Sequence, residues 1–305
     1  MSDINYSIII PHKNIPHLLQ RCLDSIPRRE DIQIIIVDDN SDSERVDFNH
    51  FPGAGDPRIE VYLTKEGKGA GYARNVGLRY AKGKWLLFAD ADDYYTKNAW
   101  PLLDQYLHVN VDIIYFGVDC VDSNTLLPAS RNLKNNAIIT SFLKNENNSE
   151  TLLRYTCWEP WNKMWNKNFV LKNNLYFDEI PRGNDAMFVL KGGDKAYKIE
   201  AIDKPIYTVT YRSQSISHAL TKETLISSLL LKIRINRFYN VRRLNYLKQS
   251  VLYDVKQAYC LFGLKFAIKE VFLIYKNHGD FFNSLVCDTK AWKRLIKRFF
   301  YGYNN

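Results

Sequence analysis

Four short apolar runs are separated by segments with helical spacing of apolar residues. The runs are YSIII (6–10), IQIIIVDD (32–39), IEVYL (59–63) and KWLLFAD (84–90), and the helix-like segments lie near 15–26 and 70–81. Strands that alternate with helices predict a parallel sheet. Because the apolar character is continuous rather than alternating, we expect helices to cover both faces of this sheet, as in an α/β fold.

Two acidic clusters follow two of these runs directly. VDDNSD ends one predicted strand at 37–42, and ADADD ends another at 89–93. The carboxyl ends of parallel strands meet at one edge of the sheet, where α/β proteins bind ligands. Asp and Asn are also common in turns, but a turn does not need the closely spaced carboxylates of Asp90, Asp92 and Asp93. Because like charges repel, we expect something positive at this edge.

A glycine-rich stretch, EGKGAGYARNVGLRYAKGKW, lies between the two clusters. It lacks the dinucleotide pattern G-x-G-x-x-G, because its glycines stand at 67, 69 and 71, and it contains no Walker pattern. The stretch predicts a flexible loop before a helix, where backbone amides, Lys68 and Arg74 could meet a phosphate. An ordinary loop without a ligand is the alternative.

The positive charge is concentrated near the end of the chain. The 305 residues carry a net charge of +9, and 46% of them are hydrophobic, which suits one large or two modest domains. Residues 221–305 contain sixteen Lys and Arg against five Asp and Glu, so the remainder has a net charge of −2. We therefore predict a boundary near 220, between an α/β domain and a helical C-terminal region.

The C-terminal region mixes basic residues with aromatic and aliphatic ones, as in AWKRLIKRFFYGYNN. This mixture is typical of an amphipathic helix that contacts anionic lipid, and a helix face packed on the α/β domain is the alternative. Nucleic-acid binding is a further class for a basic region, but no motif of that class accompanies it. We expect no nucleic-acid partner.

The cellular location follows from what the chain lacks. The N-terminal stretch MSDINYSIIIPHKN has no basic segment followed by an apolar one, and no apolar run reaches the roughly 18 residues of a membrane span. The five cysteines, at 22, 120, 157, 260 and 287, form no C-x-x-C pair. We expect a cytoplasmic protein whose cysteines are reduced and buried in the core.

Five segments in order resemble the family 2 glycosyltransferases of the GT-A fold, over about residues 5–218. They are YSIIIPHKN, IIIVDDNSD, GKGAGYARNVGLRYAKGKWLLFADADDYY, then WNKMWNKNFVLKNNLYFDE with GNDAMFVL, and finally YTVTYRSQSISH. The resemblance implies a GT-A-like nucleotide-sugar-binding domain with a mostly parallel central sheet over 1–220. Its donor half would cover about 1–120 and its acceptor half about 121–220, followed by the smaller helical region 221–305.

The resemblance also implies roles for the acidic clusters. Asp39 would accept a hydrogen bond from the base, Asp90 would contact the ribose, and Asp92 would carry Mn²⁺ or Mg²⁺, with Asp93 supporting the site. Lys13 stands where the family often has an aromatic residue, so UDP is the expected nucleotide while GDP and dTDP stay open. The other implied contacts to the nucleotide-sugar are Pro11, Lys13, Asn14, Lys68, Gly69, Arg74 and Ala91.

On the acceptor side, the residue in the position of the family's catalytic base is Asp185. It is preceded by Asn184, where the family often has Glu, and the alternative for this aspartate is a helix N-cap. An aromatic and polar patch around 158–165 suits a sugar ring, although buried tryptophans would look the same. The implied acceptor contacts are Trp161, Asn162, Lys163 and Asn184. His218, at the C-terminal end of the resembling region, is implied to lie near the metal.

The resemblance, with these residues in the family's positions, implies a metal-dependent, inverting glycosyltransferase. It would move a sugar from a nucleotide-sugar, expected to be a UDP-sugar, to a hydroxyl of a glycan or lipid-linked acceptor. The product would be a surface polysaccharide or lipopolysaccharide, made at the inner face of the cell membrane. A nucleotidyltransferase on a similar sheet would also use paired carboxylates and a metal but would not require Asp185. A non-catalytic sugar-binding relative would be favoured only if the metal or base position were missing.

Overall fold

The computed structural model describes residues 3–129, 133–211 and 220–279. These residues form two compact units. The first contains a large sheet with its covering helices, and the second contains Pro181–Gly183 and the helices that follow residue 220.

The first unit is built on one eight-stranded sheet. Its strands are β1 (Tyr6–His12), β2 (Ile32–Asp39), β3 (Ile59–Thr64), β4 (Trp85–Phe88), β5 (Tyr94–Tyr95), β6 (Ile113–Asp122), β7 (Lys163–Asn166) and β8 (Ile199–Tyr211). They lie in the order β3-β2-β1-β4-β7-β6-β8-β5. Strands β1 to β4 are parallel to one another, and β7 runs antiparallel to both β4 and β6. The predicted runs at 6–10, 32–39, 59–63 and 84–90 therefore correspond to the parallel part.

Helices cover both faces of the sheet, as the continuous apolar runs predicted. They are α1 (Pro16–Asp24), α2 (Ala70–Tyr80), α3 (Ala99–Asp104), α4 (Leu133–Leu143), α5 (Ser149–Thr156), α6 (Lys167–Lys172) and α7 (Ala186–Lys195). Alternate residues of each strand enter opposite layers: Ile8 packs in the layer of α1, and Ile9 in the layer of α2. Both layers are buried, which explains why the strand carries isoleucine at successive positions.

The second unit consists of α8 (Lys222–Val241), α9 (Leu252–Phe262) and α10 (Leu264–Lys276). A capping box starts α8, because the Thr221 side chain accepts from the N–H of Thr224 while the Thr224 hydroxyl accepts from the N–H of Thr221. Within the described ranges, none of the helices combines the length and the apolar character needed to cross a lipid bilayer.

The cysteines only partly follow the sequence prediction. Cys22, Cys120 and Cys157 are free and buried, as expected for core thiols. Cys260 is free but exposed on α9, so the prediction is wrong for this residue. The physical reason is that Cys260 lies on the outer side of a helix whose buried residues are Asp254 and Ala258. Cys287 lies outside the described residues.

Candidate functional site

The parallel strands β1, β2 and β4 place the residues that were predicted to bind the donor at one edge of the sheet. Strand β2 ends at Asp39, and β4 ends just before Asp90. Both strands flank β1 in the same direction, and their register pairs the end of β1, at His12, with Asp38. Helix α2 begins after the glycine-rich loop at the same edge, because Gly69 donates its N–H to Asp39 at 2.9 Å.

Asp39 is buried, and one of its two carboxylate oxygens has no hydrogen-bond partner in the described residues. Its Oδ2 accepts from the N–H of Gly69, and Lys13 Nζ lies 3.4 Å from the same oxygen. Its Oδ1 is buried without a hydrogen-bond partner in the described part of the chain. A buried acceptor left without a donor is costly unless a ligand satisfies it. The N–H of a nucleotide base is a donor of the required kind.

His12 and Asp38 form a buried pair behind Asp39 that holds this loop, and neither residue was assigned a role from its sequence position. His12 Nδ1 lies 2.7 Å from Asp38, and His12 Nε2 accepts the N–H of Ile15 at 3.2 Å. Nδ1 must therefore carry the proton and donate to the carboxylate. Burial raises the pKa of Asp38, but hydrogen bonds from His12 and Ser41 outweigh it and hold the pKa below its usual range. The only sequence signal was the pairing of polar residues at adjoining strand ends.

Residues 90–93, which follow β4 and which we call the acidic turn, are held by backbone hydrogen bonds. The N–H of Asp90 donates to the hydroxyl of Tyr207 at 2.8 Å. The carbonyl of Asp92 accepts from Arg21 at 2.5 Å and from the hydroxyl of Thr210 at 2.7 Å. These contacts leave the side chains of Asp90 and Asp92 partly exposed. The backbone of the turn is thus held at the edge of the sheet.

Asp93 belongs to the same turn but points into the protein. It is buried, and its carboxylate accepts the N–H of Thr210 at 2.7 Å. Burial, together with the negative charges of Asp92 and Asp90, raises its pKa well above the usual range.

Arg74 connects the acidic turn to the acceptor side. Its guanidinium donates to Asp90 at 2.5 Å and to Asn184 at 2.6 Å, and the side chain is buried. The sequence assigned Arg74 to a phosphate, whereas the described contacts of its two terminal nitrogens are to protein side chains. The charge of Arg74 offsets that of Asp90 and fixes Asn184, the neighbour of the predicted base.

Helix α2 and the segment before α7 approach each other closely at Gly71. A Cβ at this position would lie 2.0 Å from the carbonyl oxygen of Asp178 and 2.9 Å from the Cβ of Asn184. One turn later, Asn75 exchanges two hydrogen bonds of 2.9 Å with the backbone of Phe177. Only glycine fits between these backbones, so the segment that leads to Asn184 is held against α2.

Asp185 occupies the N-cap position of α7 without capping it. Its side chain makes no cap hydrogen bond and is partly exposed. Burial raises its pKa to about 6, against the lowering effect of Arg74, and the charges of Glu159 and Asp90 raise it further. A carboxylate with a pKa near neutral can accept a proton from a hydroxyl and release it again.

The residues predicted to contact the acceptor lie in two environments. Asn184 is partly exposed next to Asp185, whereas Trp161, Asn162 and Lys163 are buried. Lys163 donates to the carbonyl of Glu159 at 2.5 Å and to Asn162 at 2.9 Å, and Asn162 donates to the carbonyl of Phe116 at 2.9 Å. The ring of Trp161 stacks on Tyr207 with centroids 5.1 Å apart, directly behind the acidic turn.

The remaining residues that were predicted to contact the ligand lie around this edge of the sheet or outside the described residues. Pro11 and Ala91 are buried, while Lys13 and Lys68 are exposed. Asn14 joins two loops, because its N–H donates to Ser41 and its side chain accepts from Asp42, both at 2.8 Å. The amide of Gly69 donates to Asp39. His218 lies outside the described residues.

The acidic turn fits a divalent cation that is shared with a diphosphate. In the described ranges, no group of three or more His, Cys, Asp and Glu side chains is arranged to hold a metal ion. Mg²⁺, however, is commonly held by one or two carboxylates with substrate phosphates as the other ligands. Asp90 and Asp92 are partly exposed at this turn, so their carboxylates could supply such oxygen ligands.

Comparisons with known proteins identify the family of this chain. Residues 7–169 match the model of the family described as "Glycosyl transferase family 2". The chain is 27% identical to the uncharacterized glycosyltransferase EpsJ of Bacillus subtilis over 241 residues, which cover 77% of this chain and 69% of EpsJ. It is 28% identical over 131 residues to the Escherichia coli enzyme UDP-Glc:alpha-D-GlcNAc-diphosphoundecaprenol beta-1,3-glucosyltransferase WfgD, and these cover 42% of this chain and 51% of WfgD.

A solved structure shares the fold. The crystal structure of residues 1–349 of S. aureus TarS in complex with UDP-GlcNAc matches with a TM-score of 0.56 at 22% identity, over 74% of this chain and 65% of that one. The predicted fold class, an α/β domain with a mostly parallel sheet followed by helices, is confirmed.

Proposed function

Since the chain belongs to glycosyl transferase family 2, as residues 7–169 show, we propose that it transfers a sugar from a UDP-sugar to an acceptor hydroxyl with inversion at C1. The resemblance found in the sequence is thereby confirmed at the level of the family. Because the matched part covers about half of WfgD and two thirds of the TarS fragment, the donor, the acceptor and the metal belong to the proposal.

One observation carries the proposal, namely the chain of hydrogen bonds from Asp90 through Arg74 to Asn184. It connects a carboxylate of the acidic turn to the residue next to Asp185, whose pKa of about 6 suits a general base. A non-catalytic sugar-binding protein has no need for such a base. The same arrangement disfavours a nucleotidyltransferase, which would need paired carboxylates but no base for an acceptor hydroxyl.

UDP is the proposed nucleotide. Oδ1 of Asp39 is a buried acceptor without a partner in the described residues, and uracil presents a ring N–H to it, as thymine and guanine also would. The printed name of WfgD includes UDP-Glc, and TarS was crystallised with UDP-GlcNAc, which agrees with this choice. Asp92, together with the diphosphate, would hold Mn²⁺ or Mg²⁺, and such an ion would neutralise the charge of the departing UDP.

In the proposed step, the side chains of this chain orient the reactants and move one proton. Asp185 accepts the proton of the acceptor hydroxyl, and the hydroxyl oxygen forms a bond to C1 of the sugar. The bond from C1 to the phosphate oxygen breaks at the same time, and UDP leaves with both bonding electrons. A single displacement of this kind inverts the configuration at C1. Arg74 keeps Asn184, and with it the start of α7, next to the acidic turn.

The acceptor is proposed to be a growing surface glycan on a lipid carrier, at the cytoplasmic side of the membrane. The support is the printed name of WfgD, whose acceptor carries diphosphoundecaprenol. The sugar and the linkage are left open.

The proposal is tested with a panel of nucleotide-sugars, in the presence of Mn²⁺, Mg²⁺ or a chelator. The products of a UDP-sugar should be UDP and a glycoside of inverted configuration, and NMR of the anomeric proton reads the configuration. Release of sugar 1-phosphate from the UDP-sugar, or of pyrophosphate when UTP and a sugar 1-phosphate are supplied instead, would indicate nucleotidyl transfer. Tight UDP binding without turnover on any donor or acceptor would indicate a binding protein and would contradict the proposal.

A further inference from the structure

Helix α10 has two apolar faces, of which one is used inside the second unit. Phe266, Ala267 and Ile274 are buried, and Ile274 packs with Leu229 of α8. The other face is exposed along the whole helix. Its members, which we call the outer face of α10, are Leu264, Ile268, Val271, Phe272 and Tyr275, with exposed fractions of 64%, 59%, 41%, 62% and 77%.

The outer face is a continuous stripe rather than a scatter of single residues. With 3.6 residues per turn, its five positions fall within an arc of about 100° around the helix axis. Exposed apolar residues are normal on a surface when they occur singly, but a contiguous apolar stripe indicates an interaction site. The stripe therefore needs a partner outside the described residues.

Basic residues follow one edge of this stripe. Lys265, Lys269 and Lys276 are exposed and lie on neighbouring helical positions. Residues 220–279 contain eleven Lys and Arg against three Asp and Glu. Of these three acids, Asp254 and Glu270 are buried, so the surface of the second unit is strongly cationic.

The combination of an apolar stripe with a lysine edge matches the surface of a bilayer that contains anionic lipid. We propose that the outer face of α10 binds such a bilayer, with its apolar side chains at the boundary between the headgroups and the acyl chains and its lysines at the phosphate groups. A second copy of the chain would bring two lysine edges together. The segment 280–305 is itself basic, with five Lys and Arg against two Asp, so its packing there would also place like charges side by side.

The test is sedimentation of the full chain with vesicles, without any donor or acceptor. Vesicles of phosphatidylcholine alone are compared with vesicles that also contain phosphatidylglycerol. We expect binding to the anionic vesicles, weakened by salt. The double variant Ile268→Ser, Phe272→Ser should bind at least about tenfold more weakly, because both apolar side chains lose their burial in lipid. Both are exposed in the protein, so the fold should persist, which circular dichroism checks.

A matched control removes two exposed apolar side chains from the first unit. Leu63→Ser with Tyr197→Ser, at positions 58% and 85% exposed, should bind vesicles like the unchanged chain. A second variant, with Lys265, Lys269 and Lys276 changed to Gln, should lose affinity for anionic vesicles and show a weaker salt dependence.

Three results would overturn the proposal. The first is undiminished vesicle binding by the Ile268→Ser, Phe272→Ser variant. The second is a chain that binds vesicles only after residues 280–305 are deleted, because that segment would then cover the outer face. The third is a dimer in analytical ultracentrifugation that the double variant abolishes, because the partner would then be a second copy.

Discussion

Replacing Asp185 with Asn separates a catalytic base from a helix cap. The two side chains have the same size, and Asn serves as an N-cap about as well as Asp. The Asp185 side chain makes no cap hydrogen bond, so the exchange should leave the stability of α7 nearly unchanged. A positioned base is worth roughly 10² to 10⁴ in rate, and we expect the turnover of the variant to fall by that factor while UDP affinity is retained.

The pH dependence provides a second measure of the same carboxylate. With a pKa of about 6, Asp185 is about 90% ionised at pH 7 and about 10% ionised at pH 5. The turnover of the unchanged enzyme should therefore fall about tenfold between these values, because only the ionised form accepts a proton. In the Asn variant this dependence should disappear from the residual rate.

Glu159→Gln is the matched control, since it removes a carboxylate that contributes to the pKa of Asp185 without being the base. Because the charge of Glu159 raises that pKa, its removal should shift the rate profile to lower pH and preserve the rate at pH 8. Transfer rate and UDP-sugar affinity are measured side by side across pH. A near-normal rate in Asp185→Asn would remove Asp185 from the mechanism and direct the search to Glu159 or His218.

Three further predictions concern the metal, the acceptor segment and the helical unit. Asp92→Ala should abolish metal-dependent UDP binding while the fold persists, because mutual repulsion is relieved; unchanged affinity in calorimetric titration with Mn²⁺ would contradict the assignment. Gly71→Ala should lower the free energy of unfolding by about 1–3 kcal/mol and slow transfer, because the new Cβ meets the backbone of Asp178; urea unfolding and initial rates check both effects. Burial raises the pKa of Glu270 from 4.5 to about 7, so the unfolded chain releases this proton first and stability declines as pH rises from about 4.5 to about 7. Glu270→Gln should remove that decline and, above pH 7, stabilise the second unit by on the order of 3 kcal/mol; an unchanged pH profile of unfolding would refute this.

The parallel part of the sheet could be predicted because its signal is local. Ile8, Ile9 and Ile10 are all buried, so their strand is covered on both faces. A short continuous apolar run of this kind is typical of a central strand of a parallel sheet. The polar residues at the strand ends then identified one edge of the sheet without further information. Asp39 and Asp90 were found in this way, since the position of each depends only on its own strand and on strand direction.

Contacts between distant parts of the chain could not be predicted. Arg74 and Asn184 are separated by 110 positions, and nothing near Arg74 shows that its partners are protein groups rather than a phosphate. Strand β7 was missed for a related reason, because four residues that include a lysine do not form an apolar run. Lys163 is buried there all the same, with its ammonium group over the ring of Tyr115 at 4.9 Å, and burial lowers its pKa.

The antiparallel insertion of β7 limits how the catalytic unit can be divided. This strand pairs Trp165 with Leu86 of β4 on one side and with Ile113 of β6 on the other. A fragment that ends near residue 120 would therefore carry two strands with open hydrogen-bonding edges and an uncovered apolar layer, and it should aggregate rather than fold. Exchanging donor specificity between relatives by joining gene halves at that point would cut through the middle of the sheet. A working chimera needs a junction after β8. The donor and acceptor specificities of this unit would therefore have to be exchanged together.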